Sequence, residues 1–454
     1  MDEWGVAGCV AFTLGIALVY VLVNRDRYSL SVAIIIVACT MFTYAVTLIN
    51  YDTPTVWFES PPPWFVSRAV LTTISAIILV GIFRVGWRNM CIGRAAAVLA
   101  LIALLVVPAT LVSTAICLPK CEVFPYRITL IFAAILTGML LLSLVLVGLE
   151  SRLPETALGD RHAISSMLTL GAIVASVGFF EVAFDIGFVR NMFTAGVIET
   201  RASSTFHNPN WFAICMAPFL YTALALANRG AQTSAYTLMA FTTVGLLSAA
   251  SRSVLTVMVV ALIVFFVAGC LSRRVSLSEL GRSLKTLVGG GLIGVTGAMG
   301  MAFLLGQTAV DRFITLMVRI VVWPFLIFNQ TGEAQSVAAQ SVIGRLDLTM
   351  HGGSFSTGSG VIDSAYLFMW IGNPLALVVL VAFFTSTGFL VLRLWSCRPD
   401  VTSNLNLSMF TFIVLVGFIG QVYWAFPVWI VLSVMFAWVL RDVVTSPTDR
   451  QHLL

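Results

Sequence analysis

The sequence is almost one apolar stretch after another, each about as long as a membrane is thick, and that repeat dictates helices. A hydrocarbon core of about 30 Å takes about 20 helical residues, and inside it every backbone N–H and C=O must be satisfied locally. Candidate spans are 4–23, 30–49, 67–86, 95–116, 127–149, 164–184, 209–228, 234–251, 253–272, 286–306, 365–392, 405–424 and 426–440, about thirteen in all. Only 10% of residues are charged and 59% are hydrophobic, whereas soluble domains carry about 25% charged residues. The expected fold is therefore all-α and polytopic, one integral membrane domain over 1–454. No polar segment is long enough for a soluble domain. Met1-Asp2-Glu3 is acidic where a cleavable signal would be basic, so no signal peptide is expected.

Charge sets the expected orientation. With the N terminus outside, the inner loops hold sixteen basic residues and the outer side nine, as the positive-inside rule requires. The net charge of +5 thus reflects topology and gives no reason to expect nucleic acid. The outer basic residues run against the trend. Arg68 and Arg127 fall at span ends and can snorkel. Arg190, Arg201, Arg252, Arg312, Arg319 and Arg345 fall on three outer features: loop 185–208, the tight hairpin 248–253, and a long loop at 307–362. Such a cluster points to an anionic ligand, and the bland alternative for each arginine is a lipid phosphate.

Loop 307–362 is the longest interruption of the apolar pattern. Loops this long are uncommon unless functional or disordered, and Ile314–Ile327 is apolar enough for a helix at the membrane interface. Its last third runs from Gly344-Arg345 through His351 into a glycine- and hydroxyl-rich turn, and Asp363 and Tyr366 follow. Loop 185–208 ends in Arg201 and then His207-Asn208-Pro209-Asn210, where Asn208 caps and Pro209 opens a helix. Exposed amides at Asn208 and Asn210 beside Arg201 would face an oxyanion. Arg252 belongs to the Ser251-Arg252-Ser253 turn, and either snorkels or points inward to the same anion.

Elsewhere, Trp57 and Trp64 read as interfacial anchors, and Glu181, an acid in a span, is a functional candidate by default. Cys117 and Cys121 flank one outer loop; they form a disulfide if that side is oxidising and are otherwise free thiols. No His/Asp cluster has metal-ligand spacing and no nucleotide-binding motif is present, so neither metal nor cofactor is expected.

The ordered set Arg201-x-x-x-x-Phe206-x-Asn208-Pro209-Asn210, Ser251-Arg252, Gly344-Arg345-Leu346-Asp347 and Asp363-x-x-Tyr366-Leu367, with Gly372 six residues past the Tyr, resembles the O-antigen polymerase and O-antigen ligase superfamily. The resemblance covers about the second half of the chain, from Arg201 to roughly Leu392. It implies a GT-C-like fold in the bacterial inner membrane with a periplasmic active face. It also implies a metal-independent glycosyltransferase that takes glycan from undecaprenyl pyrophosphate. A flippase and a chain-length regulator of the same pathway are partners it suggests, besides membrane lipids. In that reading Arg201, Arg252 and Arg345 hold the pyrophosphate, with Arg312 and Arg319 as weaker candidates. Asn208, Asn210 and Tyr366 line the substrate, and Asp363 or His351 serves as base. Arginine suits a pyrophosphate because its planar fork binds two oxygens at once; the chain has 23 arginines and two lysines. Ligases of the superfamily typically carry His-Asn where this chain has Asp363-Ser364, which favours a polymerase; a ligase transferring glycan to lipid A core is the near alternative. A flippase for a lipid-linked anion is the alternative from another class, and would call for polar mid-membrane groups and internal repeats.

Overall fold

The computed structural model describes residues 14–26, 28–39, 64–86, 94–117, 126–153, 157–184, 202, 204, 209–272, 274–329, 366, 369, 373–419, 423 and 428–444. Its elements are helices, with no strand among the described residues. In chain order they are α1 (Leu14–Val23), α2 (Ser29–Cys39), α3 (Trp64–Val85), α4 (Arg94–Leu104), α5 (Val106–Cys117), α6 (Tyr126–Glu150), α7 (Ala157–Phe184) and α8 (Pro209–Cys215). They continue as α9 (Ala217–Asn228), α10 (Gln232–Ala249), α11 (Arg252–Leu271), α12 (Leu277–Leu305), α13 (Gln307–Asn329), α14 (Pro374–Cys397), α15 (Val401–Val416) and α16 (Val428–Val444).

Seven stretches are long and apolar enough to cross a membrane: Ala95–Ser113, Ala133–Glu150, Asp160–Phe184, Pro209–Asn228, Arg252–Leu271, Leu277–Leu305 and Pro374–Cys397. Five shorter apolar helices, Leu14–Val23, Ser29–Cys39, Leu71–Val85, Val401–Val416 and Val428–Arg441, coincide with further candidate spans. The remaining candidate, 234–251, is α10. It is rich in Thr and Ser and is packed between α7, α9 and α12, where Thr242 and Ser248 are buried.

Burial sorts the helices into an inside and an outside. All eleven residues of α2 are buried, and α8, α9 and α16 are nearly so. Around them, α11, α12 and α14 turn large apolar side chains outward. Leu277, Phe303 and Leu304 are each at least three-quarters exposed. Such faces fit a hydrocarbon solvent, in which helix association depends on close packing of small residues. The α10–α12 contact is of that kind. A side chain at Gly294 would meet the Ala240 carbonyl oxygen at 2.6 Å, and one at Gly290 would meet Met239 at the same distance.

Two expected spans are interrupted, and proline explains both. Pro108 has no N–H for the carbonyl four residues back, and the helix breaks at Leu105 between α4 and α5. Pro218 does the same at Met216, between α8 and α9.

Side chains from other helices satisfy several helix ends. Arg84 donates to the Val21, Leu22 and Asn24 carbonyls at the end of α1, where a cation complements the dipole. Glu150, buried at the end of α6, accepts the Ser31 N–H at 2.8 Å in the first turn of α2. Helix ends divide into two sets. Tyr28, Asp160, Arg229, Glu279, Asp400 and Arg441 line one cavity at what we call the lower end. The α7 C-terminus, Ala202, Ser204, Asn210, the α10–α11 hairpin and the α13 N-terminus meet at the upper end. Among the described residues, Arg229 and Arg441 of the expected inner loops fall in the first group, and Arg252 and Arg312 of the expected outer side fall in the second.

Candidate functional site

Of the expected site residues, the described Asn210, Arg252, Arg312 and Tyr366 fall at the upper end. The α10–α11 hairpin turns within three residues. Ala250 takes the left-handed conformation (φ 43°) as the α10 cap, Ser251 is extended, and Arg252 opens α11. The Ser251 hydroxyl does not cap α11. It donates instead to Asn210 Oδ1 at 2.7 Å, which ties the hairpin to the first turn of α8. The Ala202 N–H donates to the Ser248 carbonyl at 2.8 Å. The residue directly after Arg201 is therefore fastened to the hairpin that carries Arg252.

Ser204 adds a second anchor, on α7. Its N–H donates to Glu181 Oε2 at 2.7 Å and its hydroxyl to the Val174 carbonyl at 2.9 Å. Glu181 is buried near the end of α7, so its carboxylate positions the 202–204 segment against the helix. Ser204 (φ 48°) and Ala250 are the two non-glycine residues with positive φ among the described residues. Both lie at this end. Such conformations cost of order 1–3 kcal/mol each and concentrate at functional sites.

Arg252 is half-buried at the first position of a 20-residue helix. A cation there opposes the helix dipole, which is positive at its N-terminus and favours anions. Guanidinium and dipole together make the hairpin a centre of positive potential suited to an oxyanion.

Arg312 has a different position. It is half-buried on α13, which follows α12 after Gly306 (φ 113°) and packs on α7 through a stacked Phe313–Phe179 pair at 4.9 Å. Arg312 Nη1 donates to the Ala183 carbonyl at 3.0 Å and the Val182 carbonyl at 3.4 Å. It thus closes the C-terminus of α7, the arrangement Arg84 makes on α1. The expected interfacial helix at 314–327 is part of α13, which already starts at Gln307; Arg319 lies on it.

Tyr366 also meets a helix end. Its hydroxyl lies 2.6 Å from the Val414 carbonyl and 2.7 Å from the Tyr423 hydroxyl, and Tyr423 donates to the Ile413 carbonyl at 2.9 Å. The two tyrosines close the last turn of α15. Asn373 caps α14 by accepting the Ala376 N–H, and its amide donates to Thr110 on α5 at 2.6 Å. The chain that returns from loop 307–362 is thereby fixed to both α15 and α5.

Arg201, Asn208, Arg345, His351, Asp363 and Cys121 lie outside the described residues, as do most of loops 185–208 and 330–362. Among the described residues no group of three or more His, Cys, Asp or Glu is placed to hold a metal ion. Glu181, Ser204, Ser248 and Ser251 are the positioning residues that the motifs did not single out as a set. The signal available for them was the placement of Glu181 inside a span and of three serines around two arginines. No family model matches the chain, and no curated protein or solved structure matches it either.

Proposed function

We propose that this chain is a bacterial inner-membrane polysaccharide polymerase. In this reading it has about thirteen spans, a GT-C-like fold and a periplasmic active face. It would transfer a growing glycan from undecaprenyl pyrophosphate to a lipid-linked repeat unit. One observation carries the reading. Ala202, the residue after Arg201, is tied through its N–H to the hairpin carrying Arg252, at the positive end of α11. Tyr366, three residues after Asp363, is anchored at the end of α15, and in this reading Arg345 and Asp363 belong to the same site.

The chemistry asked of the site is modest. A pyrophosphate leaving group needs fixed cations, and guanidinium forks hold two of its oxygens where negative charge develops. The attacking sugar hydroxyl needs one base within hydrogen-bond reach, the role assigned to Asp363 or, failing it, His351. Arg201, Arg252 and Arg345 hold the diphosphate; Asn208 and Asn210 line its edge.

The test combines charge-preserving and isosteric variants. Arg201→Lys, Arg252→Lys and Arg345→Lys keep the charge and lose the fork. Each should lower transfer from purified undecaprenyl-pyrophosphate repeat units about ten- to hundredfold at normal protein levels. Asp363→Asn keeps any helix-capping ability and removes the base, so polymer should disappear while the protein still inserts. Normal chain growth in all three lysine variants and in Asp363→Asn would sink the proposal. Glycan transferred onto lipid A core, with no repeat-unit polymer, would convert it to the ligase reading.

A further inference from the structure

The lower end of the bundle carries a second, separate feature. A cavity of about 370 Å³ opens among the ends of α2, α7, α9, α15 and α16, a size in the range of small-ligand sites. From Arg229 at its mouth to Tyr221 on the same helix it extends two turns of α9, about 12 Å into the bundle. At that depth the Tyr221 hydroxyl pairs with the Ser408 hydroxyl at 3.1 Å. Its walls are mainly apolar, with Ile164, Met167, Ala225, Leu405 and Met409, and Thr222 and Asn406 among them. This is an apolar shaft under a polar mouth.

The mouth is built around Tyr28. Arg229 Nη2 and Arg441 Nη2 come from different helices to within 3.3 and 3.4 Å of its one hydroxyl oxygen. Arg441 also lies over the Tyr28 ring, 4.9 Å from its centroid. Two guanidinium groups converging on one oxygen repel each other, and an oxyanion beside that hydroxyl turns the repulsion into attraction. The carboxylates at the mouth are placed around this pair. Asp160 meets Arg229 at 3.5 Å, Asp400 caps α15 through the Ser403 N–H, and Glu279 caps α12 through Ser276. Three carboxylates with two arginines suit a head group that carries a cation as well as its phosphate.

We propose that this cavity binds a membrane aminophospholipid. Its phosphodiester lies between Arg229, Tyr28 and Arg441, its ammonium faces the Asp160 and Asp400 carboxylates, and one acyl chain fills the shaft. The site is independent of the transferase reading, since all its residues lie at the opposite end from Arg252. Its test therefore reads lipid, not activity.

Full-length protein purified in mild detergent is depleted of lipid and titrated with phosphatidylethanolamine, phosphatidylglycerol or soluble phosphoethanolamine. Intact-complex mass spectrometry and the unfolding temperature report binding. Phosphatidylethanolamine should bind and stabilise, and the other two only weakly. Arg441→Gln should weaken it about tenfold, the loss of one charge-assisted hydrogen bond. Ala225→Trp blocks the shaft, and Met409→Phe does so more gently should the first variant not fold; both should lose the lipid. Equal binding of phosphatidylglycerol, an equal effect of phosphoethanolamine alone, or undiminished binding in well-folded Arg441→Gln would each overturn the assignment.

Discussion

At the scale of single residues, the upper end separates arginines by what their guanidinium groups meet. Arg312 reaches back to the last carbonyls of α7, as Arg84 does at α1. Arg252 opens a helix at its positive end, a place where a cation gains from an anionic ligand and loses without one. The two should therefore fail differently. Arg312→Ala removes a charged donor from helix-terminal carbonyls and should cost roughly 1–3 kcal/mol, read as a lower unfolding temperature, while the folded fraction keeps its transfer rate. Arg252→Ala should abolish transfer in the folded fraction as well. A stable Arg312→Ala protein that makes no polymer would move Arg312 into the diphosphate site, where the motif reading had it as a weaker candidate.

At the scale of elements, the decisive packing is α10 against α12. Helices in lipid gain little from apolar burial against each other, so they must approach closely. Gly294 permits this because any side chain there would strike the Ala240 backbone, which cannot move aside. Gly294→Val should overpack the contact by more than the usual 1–3 kcal/mol of a core insertion and leave little monodisperse protein on size-exclusion chromatography. Gly297→Val is the control. It makes the same change on the same helix, at an exposed position with nothing within 4 Å, and should be tolerated. Equal yields of the two would remove close approach as the reason for the glycine. The apolar period located nearly every helix, because a span's composition is set by the solvent it faces. Breaks inside spans are a different matter. Pro108 and Pro218 mark them, yet a hydropathy window averages one proline away, and spans 95–116 and 209–228 read as continuous. The start of α13 was missed for the opposite reason. Gln307, Thr308 and Asp311 are polar and exposed, while Ala309, Phe313 and Leu316 on the other face are buried against the bundle, an amphipathic pattern that a search for wholly apolar stretches passes over. At the site, the arginines stood out because they opposed the topological charge rule. The serines and Glu181 that position them did not, since their roles depend on contacts between segments far apart in the chain, Ser204 with Glu181 at 23 residues and Ser251 with Asn210 at 41.

For the whole molecule, the question is whether its two ends face the two sides that charge assigns them. The lower end carries Arg229, Arg441 and the mixed-charge cavity; the upper end carries the strained turns and Arg252. If the positive-inside rule governs insertion, one orientation makes every short lower loop cytoplasmic and puts the anion site outside, where a lipid-linked glycan donor would be met. Single reporter cysteines decide this in a background stripped of native ones, a necessary step because Cys270 and Cys397 are exposed. Ser203→Cys and Ser356→Cys should react with an impermeant thiol reagent in intact cells. Ser278→Cys, exposed in the first turn of α12 at the lower end, should react only after the membrane is opened. Labelling of just one of the two upper positions would break the upper end into loops on different sides and with it the convergence of Arg201, Arg252 and Arg345. Labelling of Ser278→Cys in intact cells, with both upper positions protected, would invert the molecule. The anion site would then face the cytoplasm, and a periplasmic transferase would be excluded.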